Sequence, residues 1–323
     1  MKSFTITKND ANQRLDKFVQ KSASLLPQNL LYKYIRLKRI KVNGKRAEIS
    51  TRLKEGDLVE MYINDEFFSP TKEKYDFLSA SKSIDILYED ENIMLLDKKV
   101  GLLSHPDNGE YTDTLITRVK RYLYEKGEYE PSDENSFTPS LANRIDRNTG
   151  GIVIAAKNAE SLRTLNKIIK ERDLTKLYLC VTVGVPPKDC DIIHGYLLKD
   201  EEKNKVFVYK NPREGAKEIR TAYKLLCQKN GLSLLEVELL TGRTHQIRAH
   251  LASIGLPLLG DGKYSSNAVN KKHGGYKKQF LYSYKLCFDL KNNADCSLSY
   301  LKGKSFEVEN IWFRDAFYNN ELK

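Results

Sequence analysis

Nowhere in these 323 residues do about 18 apolar residues run together, so no helical membrane span is readable. The amino terminus, MKSFTITKND, has no apolar core of the kind a secretory signal requires. Cysteine is scarce: Cys180, Cys190, Cys227, Cys287 and Cys296 are odd in number, widely spaced and mostly set in apolar or strand-like runs. That argues against a disulfide framework and for reduced thiols in a cytoplasmic protein. Paired Cys-x-x-Cys and His-x-Glu ligand sets are missing, which argues against a zinc hydrolase or deaminase. Both Gly-x-Gly-x-x-Gly and the full Gly-x-x-x-x-Gly-Lys-Ser/Thr loop are absent, so a nucleotide or methyl-donor cofactor has no visible cradle. Internal repeats and low-complexity tracts are also lacking. Any chemistry must therefore come from ordinary side chains.

What is present is charge, unevenly placed. The net charge is +11, and residues 1–60 hold 14 Lys and Arg against 6 Asp and Glu. About three quarters of the excess thus lies in under a fifth of the chain. Such a local basic surface suits a polyanion, whose binding gains from counterion release, whereas a merely soluble basic protein would spread its charge.

The length fits two domains. Gln13 to Ser22 and Asn29 to Leu37 carry apolar residues at helical spacing and are predicted as two short helices sharing a small core. Lys33, Arg36, Lys38, Arg39, Lys41, Lys45 and Arg46 then fall within fourteen residues that contain no acid. In their midst Asn43-Gly44 predicts a tight hairpin turn, because both positions tolerate positive φ. Leu58 to Ile63 reads as a strand. Residues 66–83, polar and marked by Pro70, read as a linker between a first domain, 1–65, and a second, 84–323.

In the second part, Ile84 to Asp97 predicts a hairpin with an acidic turn, and Thr114 to Tyr124 a helix. Glu125 to Thr138 and Asp200 to Lys217 are expected as exposed or irregular loops. Gly150 to Ala156 reads as a buried strand, followed by a helix that Asn158 caps. In Thr175 to Val183, Leu177, Leu179, Val181 and Val183 share one face, leaving Lys176, Tyr178, Cys180 and Thr182 on the other. Thr221 to Cys227 and Leu232 to Leu240 form a hairpin about Asn230-Gly231. Its second strand runs into a helix through Ile247 and Leu251, with Gly242 allowing the corner and Thr244 placed to cap.

Three side chains carry chemical promise. Asp146 lies in SLANRIDRNTGGIVIAA, where a carboxylate precedes a glycine-closed turn and a buried strand; the bland reading is a surface pair with Arg144 or Arg147. Tyr178 sits on the strand face available to a cleft, although strand tyrosines are more often simply packed. Arg248, at the margin of an apolar stripe, needs a carboxylate from elsewhere in the chain. His245 and His250, five residues apart, do not stack on one helical face and read as structural.

These segments also carry a resemblance. RLDKFVQKSA, YKYIRLKRIKVNGKRA and EGDLVEMYI resemble the S4 RNA-binding domain. NRIDRNTGG is similar to the His-Arg-Leu-Asp-Arg-x-Thr-Ser-Gly motif of the RluA-type pseudouridine synthases, and TKLYLCVTVG to their Lys-x-Tyr strand. TGRTHQIRAHLASIGLPLLGDGKY is close to a third block, and KKVGLLSHP resembles their Lys-Pro-x-Gly-Leu loop. An S4 domain ahead of the catalytic domain is the arrangement of the family's ribosomal large-subunit branch.

The resemblance implies an α+β protein. Its pseudouridine synthase fold would have a central mixed, largely antiparallel sheet with flanking helices, preceded by a small S4-like α/β domain. It implies conversion of uridine to pseudouridine in structured RNA, large-subunit 23S ribosomal RNA first, with base flipping and with no cofactor and no metal. A monomer is expected. Asp146 takes the place of the catalytic aspartate, Tyr178 of the base-stacking tyrosine that helps remove the carbon-5 proton, and Arg248 of the arginine paired with the aspartate. Ile247 packs beside the base, and Arg144 fills the space the flipped nucleotide leaves. Arg243 and the seven basic residues from Lys33 to Arg46 are expected RNA contacts. Asn143, Ile145, Gly150 and Val100 depart from the motifs, at positions without a chemical role. The rival readings are a catalytically inactive RNA-binding or ribosome-assembly factor, and a synthase acting on tRNA.

Overall fold

The computed structural model describes residues 1–68, 71–107, 109 and 111–322. Pro70, which helped mark the expected linker, lies outside them.

The first unit runs β1 (Lys2–Thr5), α1 (Leu15–Ser22), α2 (Gln28–Arg36), β2 (Ile40–Val42), β3 (Lys45–Arg46) and β4 (Leu58–Met61). Its four-stranded sheet has the order β1-β4-β2-β3, antiparallel throughout. Phe18, Val19, Leu31, Ile35, Ile40, Val59 and Met61 close one core between helices and sheet. The β2–β3 turn is the predicted Asn43-Gly44 hairpin, with φ of 51° and 72° at the two positions.

The second unit has two main cores, one on each face of a large sheet, and a small cluster about Val206. Its elements are β5 (Ile86–Glu89), β6 (Ile93–Lys98), α3 (Leu115–Glu125), β7 (Ser140–Leu141), β8 (Gly150–Ala156), α4 (Ala159–Glu171) and β9 (Leu174–Val183). There follow β10 (Cys190–Asp200), β11 (Lys205–Tyr209), β12 (Lys217–Lys229), β13 (Leu232–Leu239), α5 (Gln246–Ser253), α6 (Asn267–Lys272), β14 (Leu281–Phe288), β15 (Ser305–Glu307) and α7 (Arg314–Tyr318). The main path is β11-β10-β12-β13-β9-β14-β8-β6-β5, with β15 paired to β14 and β7 to β8. Only the β14–β8 pairing is parallel among these, so the sheet is mixed and largely antiparallel, as expected. Strand alternation divides the cores: Leu179 and Val181 face α4, while Tyr178 and Cys180 face the side that holds α3 and α5.

Backbones approach closely where β8 meets β14. Gly151 has φ 109°, and a Cβ there would lie 2.1 Å from the carbonyl oxygen of Ser283. A Cβ at Gly150 would sit 2.4 Å from the Tyr282 ring. That ring supplies a local reason for glycine where the related motif has serine.

Three expectations need correction. Glu125 to Thr138 is not an exposed loop: Tyr129 and Phe137 are buried, and residues 134–136 are gripped by the first unit. Asp10, itself fully buried, accepts from Asn135 Nδ2 at 2.8 Å and from Ser136 Oγ. Asn9 donates to Glu134 at 2.7 Å and accepts from the Ala159 amide at the start of α4. Second, Asp200 to Lys217 contains β11, whose Val206 packs with Leu197, Ile219 and Ala249; charged flanks hid a short β-branched run. Third, Thr244 does not cap α5. His245 takes that position at φ 54°, ψ 19°, and the Gln246 side chain ties the corner by accepting from Arg243 N and donating to Arg220 O. Gly242 has no positive φ and no close neighbour, so nothing there requires glycine.

Candidate active site

The site is assembled from three segments that the sheet brings together. Asp146 sits in the turn before β8, Tyr178 on β9, and Arg248 on α5, which crosses the same sheet face. With Arg144, Ile145, Thr149, Arg243, His245 and Ile247 they line a small pocket of about 70 Å³. Asp146, Tyr178, Arg144, Arg243 and His245 also border a cleft of about 720 Å³.

Arg248 is the electrostatic centre. Its Nη1 donates to Asp146 Oδ2 at 2.8 Å, while Nε and Nη2 grip Asp261 at 2.7 and 3.0 Å. The guanidinium therefore has two carboxylate partners. Asp261 was not singled out from the sequence. Asp261 is fully buried and also accepts from the amides of Lys263 and Tyr264. Burial opposes charge on Arg248, but the hydrogen bonds and charges of Asp261 and Asp146 outweigh it and hold its pKa above the usual value. For Asp261, burial pushes the pKa up, yet the Arg248 contacts win and the carboxyl lies below its ordinary range. The surface pair of Asp146 with Arg144 or Arg147 does not form; Arg147 Nε instead donates to Gly101 O.

The turn holding Asp146 is pinned from beneath. Lys98, fully buried at the end of β6, donates to the carbonyls of Lys99, Leu102 and Arg147 at 3.1, 2.7 and 3.1 Å. Three acceptors match the three donors of an ammonium. Burial lowers the Lys98 pKa to about 7, with Asp146 and Asp97 opposing that shift. Ser104 Oγ donates to Ile145 O at 3.0 Å, so the KKVGLLSHP segment holds both sides of the Asp146 turn.

Tyr178 is buried at 5% exposure, and desolvation raises its pKa to about 12, aided by Asp146. It is a phenol at neutral pH. Ile247 is 4% exposed beside it, and both line the small pocket. Arg144 and Arg243 are exposed on the rim, and no ion pair holds either among the described residues. Lys170, Arg172, Lys176 and Lys291 line the wider cleft, which also holds Glu238 and Asp289.

His245 does not read as a buried structural histidine. Its ring lies in the pocket, Nε2 3.8 Å from Asp146 Oδ2 and Nδ1 2.9 Å from Tyr264 Oη. A left-handed non-glycine residue costs of order 1–3 kcal/mol and clusters at functional sites. His250, by contrast, is buried against Thr221 at 2.9 Å, as a structural histidine should be. In the first unit, Lys33, Arg36, Lys38, Arg39, Lys45 and Arg46 are exposed and Lys41 is half-buried. Arg39 lies over the Tyr34 ring at 5.3 Å and Lys41 over Tyr62 at 5.1 Å. Among the described residues, no His, Cys, Asp and Glu grouping could hold a metal ion. No described helix is long and apolar enough to cross a membrane.

Both the sequence and the fold match known proteins. Residues 92–253 match the RNA pseudouridylate synthase family model, and residues 13–59 the S4 domain model. An uncharacterised RNA pseudouridine synthase of Mycoplasma genitalium is 35% identical over 88% of this chain and 88% of its own length. The ribosomal large subunit pseudouridine synthase C of Rickettsia felis is 34% identical, over 87% and 90%. Among solved structures, human RNA pseudouridylate synthase domain containing 4 shares the fold, with a TM-score of 0.56 and 20% identity over 74% of this chain and 94% of that one. The chain belongs to the RNA pseudouridylate synthase family and is an enzyme acting on RNA. Within that family it is of the RluA type, with an S4 domain preceding the catalytic part.

Proposed function

We propose that the chain isomerises uridine to pseudouridine in large-subunit ribosomal RNA, with Asp146 as the nucleophile and no cofactor. The observation that carries this reading is the Asp146 carboxylate, held at 2.8 Å by Arg248 at the mouth of a pocket floored by Tyr178 and Ile247. In the reaction the Asp146 carboxylate bonds to the sugar carbon as the bond from that carbon to uracil N1 breaks, the freed base turns, and the carboxylate leaves as carbon 5 bonds to the same sugar carbon. Carbon 5 loses a proton and N1 gains one, so no donor or oxidant is consumed. Arg248 fixes one carboxylate oxygen and stabilises charge that develops as the base detaches. Tyr178 offers its ring for stacking. As a phenol it can assist at carbon 5 only by relaying a proton.

A base inside a stem is reached by flipping, at a cost of a few kcal/mol that stacking on Tyr178 offsets. Arg144, on the rim and free of an ion pair among the described residues, is the side chain placed to fill the gap. The basic wall of the cleft and Arg243 follow the phosphate backbone. Residues 1–65, with their seven basic side chains, add affinity, and 66–83 join them to a catalytic part, 84–323. The relatives named for the ribosomal large subunit support that substrate over tRNA. We also read the protein as cytoplasmic, from cysteines that are few, odd in number and free.

The test is Asp146→Ala assayed by tritium release from carbon-5-labelled large-subunit ribosomal RNA transcripts. Turnover disappears while RNA affinity stays within several-fold. Retained turnover would overturn the assignment. Pseudouridine mapping in ribosomal RNA and tRNA, with and without the gene, decides the substrate.

A further inference from the structure

We propose that His245 is a positioning residue for Asp146, held by Tyr264 as the tautomer whose Nε2–H faces the catalytic carboxylate. This rests on Asp146 being the reactive group. The argument begins at β11. The amide of Val206 donates to Tyr264 Oη at 3.0 Å, which occupies an acceptor site on that oxygen. The hydroxyl proton of Tyr264 then needs an acceptor of its own, and His245 Nδ1 stands 2.9 Å away. A neutral imidazole whose Nδ1 accepts must carry its proton on Nε2. That nitrogen is the one directed at Asp146 Oδ2, 3.8 Å distant.

The ring is neutral because of its surroundings. Burial, with Arg248 and Lys263 nearby, lowers the His245 pKa, and this outweighs the opposing pull of Asp146 and Asp261. A charged imidazolium would bring a second cation against Oδ2, which already accepts from Arg248 Nη1. A neutral N–H instead adds a donor without competing with Arg248 for the carboxylate's charge. Both donors address Oδ2, so Oδ1 is left to face the substrate. The gap of 3.8 Å is too long for a hydrogen bond, and a shift of under an ångström, as the nucleotide enters, closes it.

Tyr264 is anchored well enough for this task. Its amide donates to Asp261 Oδ1 at 3.1 Å, and its ring lies 5.2 Å from the Arg248 guanidinium. Its edge meets the His245 ring at 5.7 Å. One residue thus fixes the carboxylate behind Arg248 and the tautomer of His245. His245 stands at a left-handed position at the start of α5, and its ring lines the pocket.

The experiment joins nitrogen NMR to single-turnover kinetics. In the 15N-labelled full-length protein, His245, identified among five histidines by its loss in His245→Gln, should show an unprotonated Nδ1 and a protonated Nε2. Tyr264→Phe should move both nitrogens toward the averaged values of a free imidazole. On large-subunit ribosomal RNA transcripts, His245→Leu should lose about 100-fold in rate, the scale for one missing donor, with RNA affinity unchanged. His245→Gln, which returns an N–H, should recover most of that loss. A protonated Nδ1 in the wild-type protein overturns the proposal, as does His245→Leu turning over within twofold of wild type. The NMR result is independent of turnover. Retained activity in Asp146→Ala would therefore remove the catalytic reading while leaving the tautomer assignment standing.

Discussion

Replacing Asp261 by Asn would test whether the site depends on the carboxylate behind Arg248. Asp261 is 1% exposed and takes two donors of that guanidinium at 2.7 and 3.0 Å. Asn keeps one oxygen for the Lys263 and Tyr264 amides but turns an N–H group toward the guanidinium. One charge-assisted hydrogen bond, about 1.5–3 kcal/mol, is lost. Leaving part of a buried charge unpaired brings the total to about 3–5 kcal/mol. For a chain of this size, at about 2.1 cal/mol/K of unfolding entropy per residue, that corresponds to a fall of roughly 4–7 °C in midpoint, measured by calorimetry at pH 7. The pH dependence follows from the depressed carboxyl pKa of Asp261. Its stabilisation is present above the unfolded-state carboxylate value and fades as pH falls through the lower folded value. The variant should therefore differ most from wild type at neutral pH and converge with it in acid. Arg248 would also lose its fixed direction, and a displacement of an ångström at a catalytic group costs about 100-fold in rate. A midpoint within roughly 2 °C of wild type together with a rate within twofold would refute the reasoning.

Four further outcomes follow from the same geometry. Lys98→Met takes a donor from three carbonyls, of which Arg147 O and Lys99 O keep the amides of Gly101 and Leu102; with Leu102 O left to itself the cost should be about 1–3 kcal/mol, read by denaturant unfolding, with slower turnover through the Asp146 turn. Changing Arg39, Lys41, Lys45 and Arg46 together to Gln should reduce the slope of log affinity against log salt by about 3 if each meets one phosphate; an unchanged slope removes the β2–β3 hairpin as an RNA contact. Asp10→Ala leaves the donors of Thr7, Asn135 and Ser136 without their acceptor, and hydrogen exchange at residues 134–136 should rise while the Asp146 turn stays protected. Gly151→Ala forces a Cβ onto the Ser283 carbonyl at a left-handed position and should cost about 3 kcal/mol or more, measured by thermal unfolding of the purified variant.

Local signals in the sequence decided a good deal. The Asn43-Gly44 turn, the Asn158 cap, whose side chain accepts from the Ser161 amide at 2.8 Å, and the period-2 pattern of β9 depend on neighbours a few residues away. The requirement of Arg248 for a carboxylate was also legible, because a guanidinium at a core margin has few alternatives. Its second partner was not. Asp261 lies 13 residues on, in a loop after α5, with no periodic pattern to mark it. The grip of the first unit on residues 134–136 joins side chains more than 110 positions apart, a pairing that no local pattern records.

Most element types and the basic first unit were readable from the chain, because each depends on spacing, charge or turn chemistry within a short stretch; Asp146 was marked out by the resemblance of its motif. What surrounds the Asp146 carboxylate came from the folded chain alone. Arg248 reaches Asp146 across 102 positions, and Lys98 reaches the Arg147 carbonyl across 49. His245 faces Asp146 from a left-handed position at the start of α5, 99 residues further along the chain. Such contacts arise from how β6, β8, β9 and α5 stack in space, and hydrogen bonds of 2.7–3.1 Å are set by that packing and not by distance along the chain.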